Sequence, residues 1–449
     1  MSTYYEDVDP INILPFCFEF FMFLNLRFMA RIGFRLALVG VVVGTIFYQF
    51  IYKSLILGTL GYNRALEPFL NFDIECEKID NVGLAGCADM WLHQESGMLY
   101  MACSDTRGRA EWFPSLNHLN ASGRSLSDQI VILDTRGAGP IKNRLTWLQT
   151  QNFEGINNDG RINLHGFDIR VDSKNDKQLH IVLVTDRPFE DTGKAGPFNR
   201  SQTDSNSTIE YFTTTLGSKT MTHEQTFTNI DIETPRHVAW VDEHLFMFTN
   251  AHSSKGNSRG YTNLVLGGGS IGYCMPPSTE CGITKSPENL KVPNGIALGH
   301  DNLLYVPSSI SGQIQVFSLE AEQRLRKVDT IHLPYPINDI NVDKNGDIYA
   351  ATVPALHKKI KNSQNIEANV PSAVFRIIKL GEMGEGEGWG WNVVKMMEDD
   401  GNTLPAATVA VHDTQTGKMF LGGVLDPFIS ICERINGESF SAYVEILNF

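Results

Sequence analysis

Six short segments of this chain open on polar or small residues and run at once into an apolar, alternating stretch. The opening pairs are Ala88-Asp89, His165-Gly166, Arg236-His237, Asn294-Gly295, Asn338-Asp339 and Ala407-Thr408. Carboxylates, amides and histidines are an unusual way to begin apolar strands. Together, Asp89, Asp339, Asn294 and Asn338 offer oxygen donors. His165 is a candidate general base that could take a proton from water. Arg236 brings a permanent cation able to form a bidentate pair with Asp89 or Asp339, and His237 stands beside it. A plainer reading is also open: Asn, Asp and Gly here shape tight turns, and His165 is a structural histidine bonded across a channel.

The elements that carry these residues repeat. After Pro68 no helical periodicity persists. Each unit has an apolar-alternating strand, a tight Asn/Asp/Gly turn and a second strand, as in the stretches beginning at Pro293 and Asn338. Further copies begin at Ala88, His165, Arg236 and Ala407, and each leaves room for one or two more strands. Six four-stranded units without long helices predict an all-β fold, a six-bladed β-propeller, because stacking blades around an axis buries faces and protects edges. The first strand of each blade lines the channel, which gathers the six opening pairs on one rim. Cys76 precedes the first unit and Cys432 lies in the last strand, so a Cys76–Cys432 disulfide is expected to lock the ring. Cys274 and Cys281 flank a short loop that a local disulfide could staple. Zinc is the rival use of these cysteines, but there is no CxxC pair.

The N-terminal part is different. Leu36 to Tyr52 carries no charge over 17 residues, about 26 Å of helix. Arg27, Arg31 and Arg35 precede it, and Lys53 and Arg64 follow. That asymmetry places the N-terminus in the cytosol and the remainder in the secretory-pathway lumen or outside. A cleaved signal peptide is the alternative, and Met29 is a second candidate start. Gly40 and Gly44 form a GxxxG pattern that is more often incidental than a dimer contact. The expected organisation is a cytosolic or interfacial segment at 1–33, a transmembrane signal-anchor at 34–57, a linker at 58–73 and the propeller at 74–449. Sequons at Asn120, Asn199 and Asn206 sit in polar stretches read as loops, which suits glycosylation in the lumen. A net charge of −14 argues against a nucleic-acid partner.

From about Ile74 to Glu433 the chain resembles the serum paraoxonase/arylesterase family. The matching pieces are the Cys76 and Cys432 pair, LHGFDIR around His165, VPNGIALG around Asn294, INDINVD around Asn338 and Asp339, and ATVAV near the end. The resemblance implies a six-bladed propeller, calcium-dependent lactonase and esterase activity, and often a retained N-terminal anchor. It puts His165 on the proposed catalytic histidine. Asp89, Asn294, Asn338 and Asp339 fall on metal-binding positions, the Asn338-Asp339 pair in reversed order. The chain also departs from the pattern: Ala88 replaces a calcium-binding glutamate, Arg236-His237 replaces Asn-Asp, and Arg187 replaces a second histidine. Calcium wants six to eight oxygens, with carboxylates supplying charge. A lost acid and an added cation therefore imply a weakened calcium site.

Three functional classes remain open at this level. The first is a hydrolase of lactones or aryl esters at the channel mouth. The second is a non-catalytic propeller that binds a ligand or partner, with Arg236 in the metal's place. The third resembles strictosidine synthase, a metal-free propeller enzyme.

Overall fold

The computed structural model describes residues 32–116, 118–155, 159–188, 205–252, 267–285, 290–362, 366, 369–382, 389–435, 437 and 440. Residues 1–58 and 59–449 form separate compact units. In the first, the described residues belong to one helix, Ile32–Thr59, which is long and apolar enough to cross a membrane and buries none of that length.

The second unit is a six-bladed propeller with six main antiparallel sheets. Their innermost strands are Asp89–His93, Leu164–Val171, Pro235–Trp240, Ala297–Leu298, Ile337–Val342 and Ala407–His412, and they define blades 1 to 6. Each lies within a few residues of the opening expected from sequence. Blade 2 gains a fifth strand, Gln149–Gln151, which pairs in parallel with its outermost strand.

Strand periodicity explains why both faces of each blade are apolar. Successive side chains point to opposite faces. In blade 1, Tyr100, Ala102, Ile130 and Ile132 pack with Phe167, Ile169 and Ile181 of blade 2. The residues between them, Leu99, Met101, Val131 and Leu133, pack with Val409, Val411 and Phe420 of blade 6. No blade could bury both stripes alone, so the ring is the smallest arrangement that hides them.

Closure uses both ends of the unit. Ile74–Ile79 forms the outermost strand of blade 6 and pairs with Ile429–Arg434, setting Cys76 opposite Cys432, and these two cysteines are disulfide-bonded. Cys274 and Cys281 face each other on neighbouring strands and are also bonded. A third disulfide, Cys87–Cys103, ties the entry of blade 1 to the end of its second strand. Three disulfides point to an oxidising compartment.

Residues 59–73 lie along blade 5. The Leu60 carbonyl accepts from His357 Nδ1 at 2.8 Å, Tyr62 stacks on the His357 ring, and Arg64 donates to the Pro354 carbonyl at 2.6 Å. Of the sequon asparagines, Asn120 is exposed in a short turn. Asn206 lies in the strand Ser205–Thr215 instead of a loop, opposite Arg187, because pairing with the strand Gln178–Pro188 overrides its Ser/Asn-rich composition. Asn199 lies outside the described residues.

Candidate active site at the channel mouth

The inner strands of alternate blades meet in the channel. Asp89 comes from blade 1, His237 from blade 3 and Asp339 from blade 5. The His237 Nε2 lies 2.9 Å from Asp89 Oδ2 and 3.3 Å from Asp339 Oδ2. Both carboxylates are buried, at 4% and 8% exposure. Asp89 also accepts from the amides of Met90 and Phe167, each at 2.8 Å, the latter binding blade 2 to blade 1. Asp339 Oδ1 accepts from the Ile340 amide at 2.7 Å. The neighbouring blade must present a bare backbone here: a Cβ on Gly295 would fall 1.9 Å from Asp339 Oδ1. Asp168, one turn of the pleat deeper, accepts from the Trp240 and Ile169 amides, and burial pushes its pKa up to about 6.

Electrostatics make His237 a cation. Burial opposes its charge, but Asp339, Asp89 and Asp168 outweigh that cost and hold its pKa up to about 10. Burial pushes the Asp339 carboxyl up, while His237 pulls it back down. Among the described residues, Asp89 and Asp339 both pair with His237, so the cation beside the acids is His237 and not the expected Arg236.

Arg236 turns to the mouth. Its Nη1 lies 3.3 Å from His165 Nε2, and it feels the charge of Asp186. Burial lowers the Arg236 pKa to about 10, still a cation at neutral pH. His165 lines a small pocket of about 20 Å³ between blades 1 and 2 that is partly open to solvent, with Ala88, Arg109, Phe113, Asp128, Asp186 and Val424 among its walls. Burial, then Arg236, Arg109 and His237, push the His165 pKa well below the ordinary value, so its imidazole is neutral. A bond to the Arg236 carbonyl, together with the guanidinium at Nε2, selects one tautomer. Arg187 is elsewhere: it pairs with Glu210 at 3.0 Å, buried beneath His223.

Asn338 is committed on both sides. Its Nδ2 donates to the Ala407 carbonyl at 2.6 Å, and its Oδ1 accepts from Lys359 Nζ at 2.5 Å. Lys359 sits on the short helix Leu356–Asn362, which follows the second strand of blade 5. Burial lowers its pKa to about 7, with Asp426 opposing and Arg236 assisting. Asn294 uses its backbone, taking the Thr249 hydroxyl on its carbonyl and donating to the Pro307 carbonyl at 3.2 Å.

Sequence reading missed Lys359, Asp426, Asp168, Asp186 and His252. Asp426 follows the second strand of blade 6. Burial raises its pKa to about 6, and its Oδ2 is buried without a hydrogen bond. His252 follows the second strand of blade 3, where burial and then Arg236 lower its pKa to about 4 and leave its Nδ1 without a partner. Lys359, Asp426 and His252 enter from the return loop after a second strand, and Asp186 lies near the end of the second strand of blade 2, whereas the repeat pattern points only at the openings of first strands. Asp168 alone had a readable signal, since it lies three residues beyond His165 in the same inner strand.

The calcium implied by the resemblance can be tested against these donors. The ligand atoms of Asp89, His237 and Asp339 lie within 4.8 Å of one another, a spacing that admits an ion. Their chemistry does not suit calcium. An imidazole nitrogen is a poor ligand for a hard cation that takes six to eight oxygens. The Asn338 oxygen is held by Lys359 Nζ. The donor set as built does not fit calcium.

Fold and site thus define a six-bladed propeller with a charged channel whose mouth holds a neutral histidine beside a guanidinium. The chain belongs to the arylesterase family: that family's model, described as Arylesterase, matches residues 191–432, more than half of the chain. The match takes in Arg236, His237, Asn294, Asn338 and Asp339, while Asp89 and His165 lie upstream of it. Comparison with curated protein sequences gives no significant match. Among solved structures, a gluconolactonase from Xanthomonas campestris is 12% identical over 84% of this chain and 92% of its own, with a TM-score of 0.42. A luciferin-regenerating enzyme is 11% identical over 80% of this chain and 95% of its own, with a TM-score of 0.44. A virginiamycin B lyase from Staphylococcus aureus is 9% identical over 80% of this chain and 99% of its own, with a TM-score of 0.39. At such values nothing about this chain's chemistry follows from them.

Proposed function

We propose that this chain hydrolyses an ester or lactone at the channel mouth, with His165 as general base and Arg236 as the cation facing the carbonyl oxygen. One observation carries the reading. A neutral histidine lines the pocket with its Nε2 lone pair turned to a guanidinium 3.3 Å away. That contact is long for a hydrogen bond to nitrogen. A substrate carbonyl that recruits the guanidinium frees Nε2 for a water. The base takes a proton as the water oxygen bonds to the carbonyl carbon, and the oxyanion that forms is stabilised by Arg236. Collapse breaks the bond to the leaving oxygen, and the imidazolium returns the proton to it. The products are a carboxylic acid and an alcohol or phenol, or one hydroxy acid from a lactone.

The same proposal places the protein as a single-pass membrane protein, N-terminus in the cytosol and propeller in the lumen or outside, glycosylated at Asn120. The apolar helix Ile32–Thr59 and the three disulfides support it. A non-catalytic, ligand-binding propeller is the second reading, favoured by the fact that Arg236 already occupies the His165 lone pair.

The test is turnover of a panel of aryl esters and five- and six-membered lactones by the full chain in detergent. Wild-type protein should hydrolyse at least one, and His165→Gln should lower kcat on the order of 10²- to 10⁴-fold. No turnover of any member would favour the binding reading, and full activity in His165→Gln would remove the histidine from the chemistry.

A further inference from the structure

The channel floor contains three side chains from alternate blades in one contact set. Such a set, two buried acids and a neighbour, is the usual seat of a divalent cation. Here the neighbour is an imidazole whose Nε2 is 2.9 Å from one acid and 3.3 Å from the other. We infer that the His237 side chain is a built-in counter-ion, occupying the position between Asp89 and Asp339 that a divalent cation would otherwise fill, so that this propeller closes without a metal.

Four observations support this. The imidazole is itself nearly buried, at 12% side-chain exposure, so its charge is not screened by water. Its Nε2 is the atom shared by the two carboxylates, and one shared N–H reaching two acids is the geometry of a cation bridge. The oxygens not facing His237 are each turned to a backbone amide, Asp89 Oδ1 to Met90 and Asp339 Oδ1 to Ile340, so the two acids present one oxygen apiece to the centre, far short of the six to eight that calcium takes. Gly295 fixes the acid against the imidazole, since a side chain there would collide with Asp339. The inference does not depend on which reaction the mouth performs.

The experiment uses the full chain in detergent. Metal content is measured by mass spectrometry after purification without chelator, and melting is followed in EDTA and in calcium. Wild-type protein should carry no stoichiometric metal and melt at the same temperature in both buffers. His237→Asn leaves two acids without their cation and adds an amide oxygen. It should melt several degrees lower in EDTA and recover in calcium, since a ligand that binds only the folded state raises its stability. Stoichiometric calcium, zinc or manganese in wild-type protein, or a wild-type melting temperature that EDTA lowers, overturns the inference. So does a folded His237→Asn protein whose melting ignores calcium. If that variant does not fold, the wild-type metal content and its response to EDTA decide alone.

Discussion

The floor and the mouth of the channel are built from similar residues put to opposite use. On the floor, the His237 Nε2 pairs with Asp89 and Asp339, and backbone amides from blades 1, 2 and 5 bond the two carboxylates, while the His237 Nδ1 is buried without a bond. At the mouth, His165 and His252 are held neutral, Lys359 is held near its titration point, and the Asp426 Oδ2 and His252 Nδ1 are buried without a bond. Paired charge stabilises a ring; unsatisfied groups cost stability and are tolerated where they can be used. The difference is the basis for proposing structure below and chemistry above.

The largest expected effect comes from breaking the floor. Asp89→Ala removes one acid from His237 and the acceptor for the Phe167 amide, and should cost about 3–5 kcal/mol in urea unfolding, the usual loss when one partner of a buried pair is deleted. A loss of under about 1 kcal/mol would mean the floor is not the clamp described here.

The two levels should also fail at opposite ends of the pH scale. His252 has a folded pKa of about 4, below its ordinary 6.5. Its contribution is therefore complete above pH 6.5 and is lost as pH falls toward 4, because only the unfolded chain takes up the proton in that window. With its partial exposure discounted, the loss is about 2 kcal/mol. His165 adds a loss of the same sign. His237 is raised to about 10, so its contribution is complete below pH 6.5 and is lost as pH rises toward 10. Stability measured across pH should show both flanks, with His252→Gln flattening the acid side and His237→Asn the alkaline side. A variant that alters the other flank would contradict the assignment. The smallest effect is expected at Asn120, which is exposed: Asn120→Gln should remove one endoglycosidase-sensitive shift and leave stability within about 0.5 kcal/mol.

The blades were legible in the sequence because an alternating run, an Asn/Asp/Gly turn and a second run are local signals. The closing disulfide followed from ring geometry. Cys87–Cys103 was within reach of the same logic, since the hairpin register places Asp89 opposite Ala102 and brings the two cysteines alongside. Choosing between Arg236 and His237 was harder. The register of this strand shifts between Pro235 and Val238, and such a bulge, invisible in the sequence pattern, re-aims both side chains. Lys359, Asp426 and His252 were hidden for a different reason: each reaches the mouth from a return loop, which carries no periodic signal. Asn206 shows the converse error, a polar stretch drawn into a strand by its partner.

The most direct test of the account is to measure turnover and melting on the same samples of wild-type and Arg236→Gln protein, with the best substrate of the panel and EDTA present. The account predicts metal-free turnover in wild-type protein and a kcat on the order of 10²- to 10³-fold lower in the variant, as for loss of an oxyanion-stabilising donor, with a lower melting temperature because Asp186 loses a buried counter-charge. An unchanged kcat, or a wild-type rate that EDTA abolishes, would contradict it.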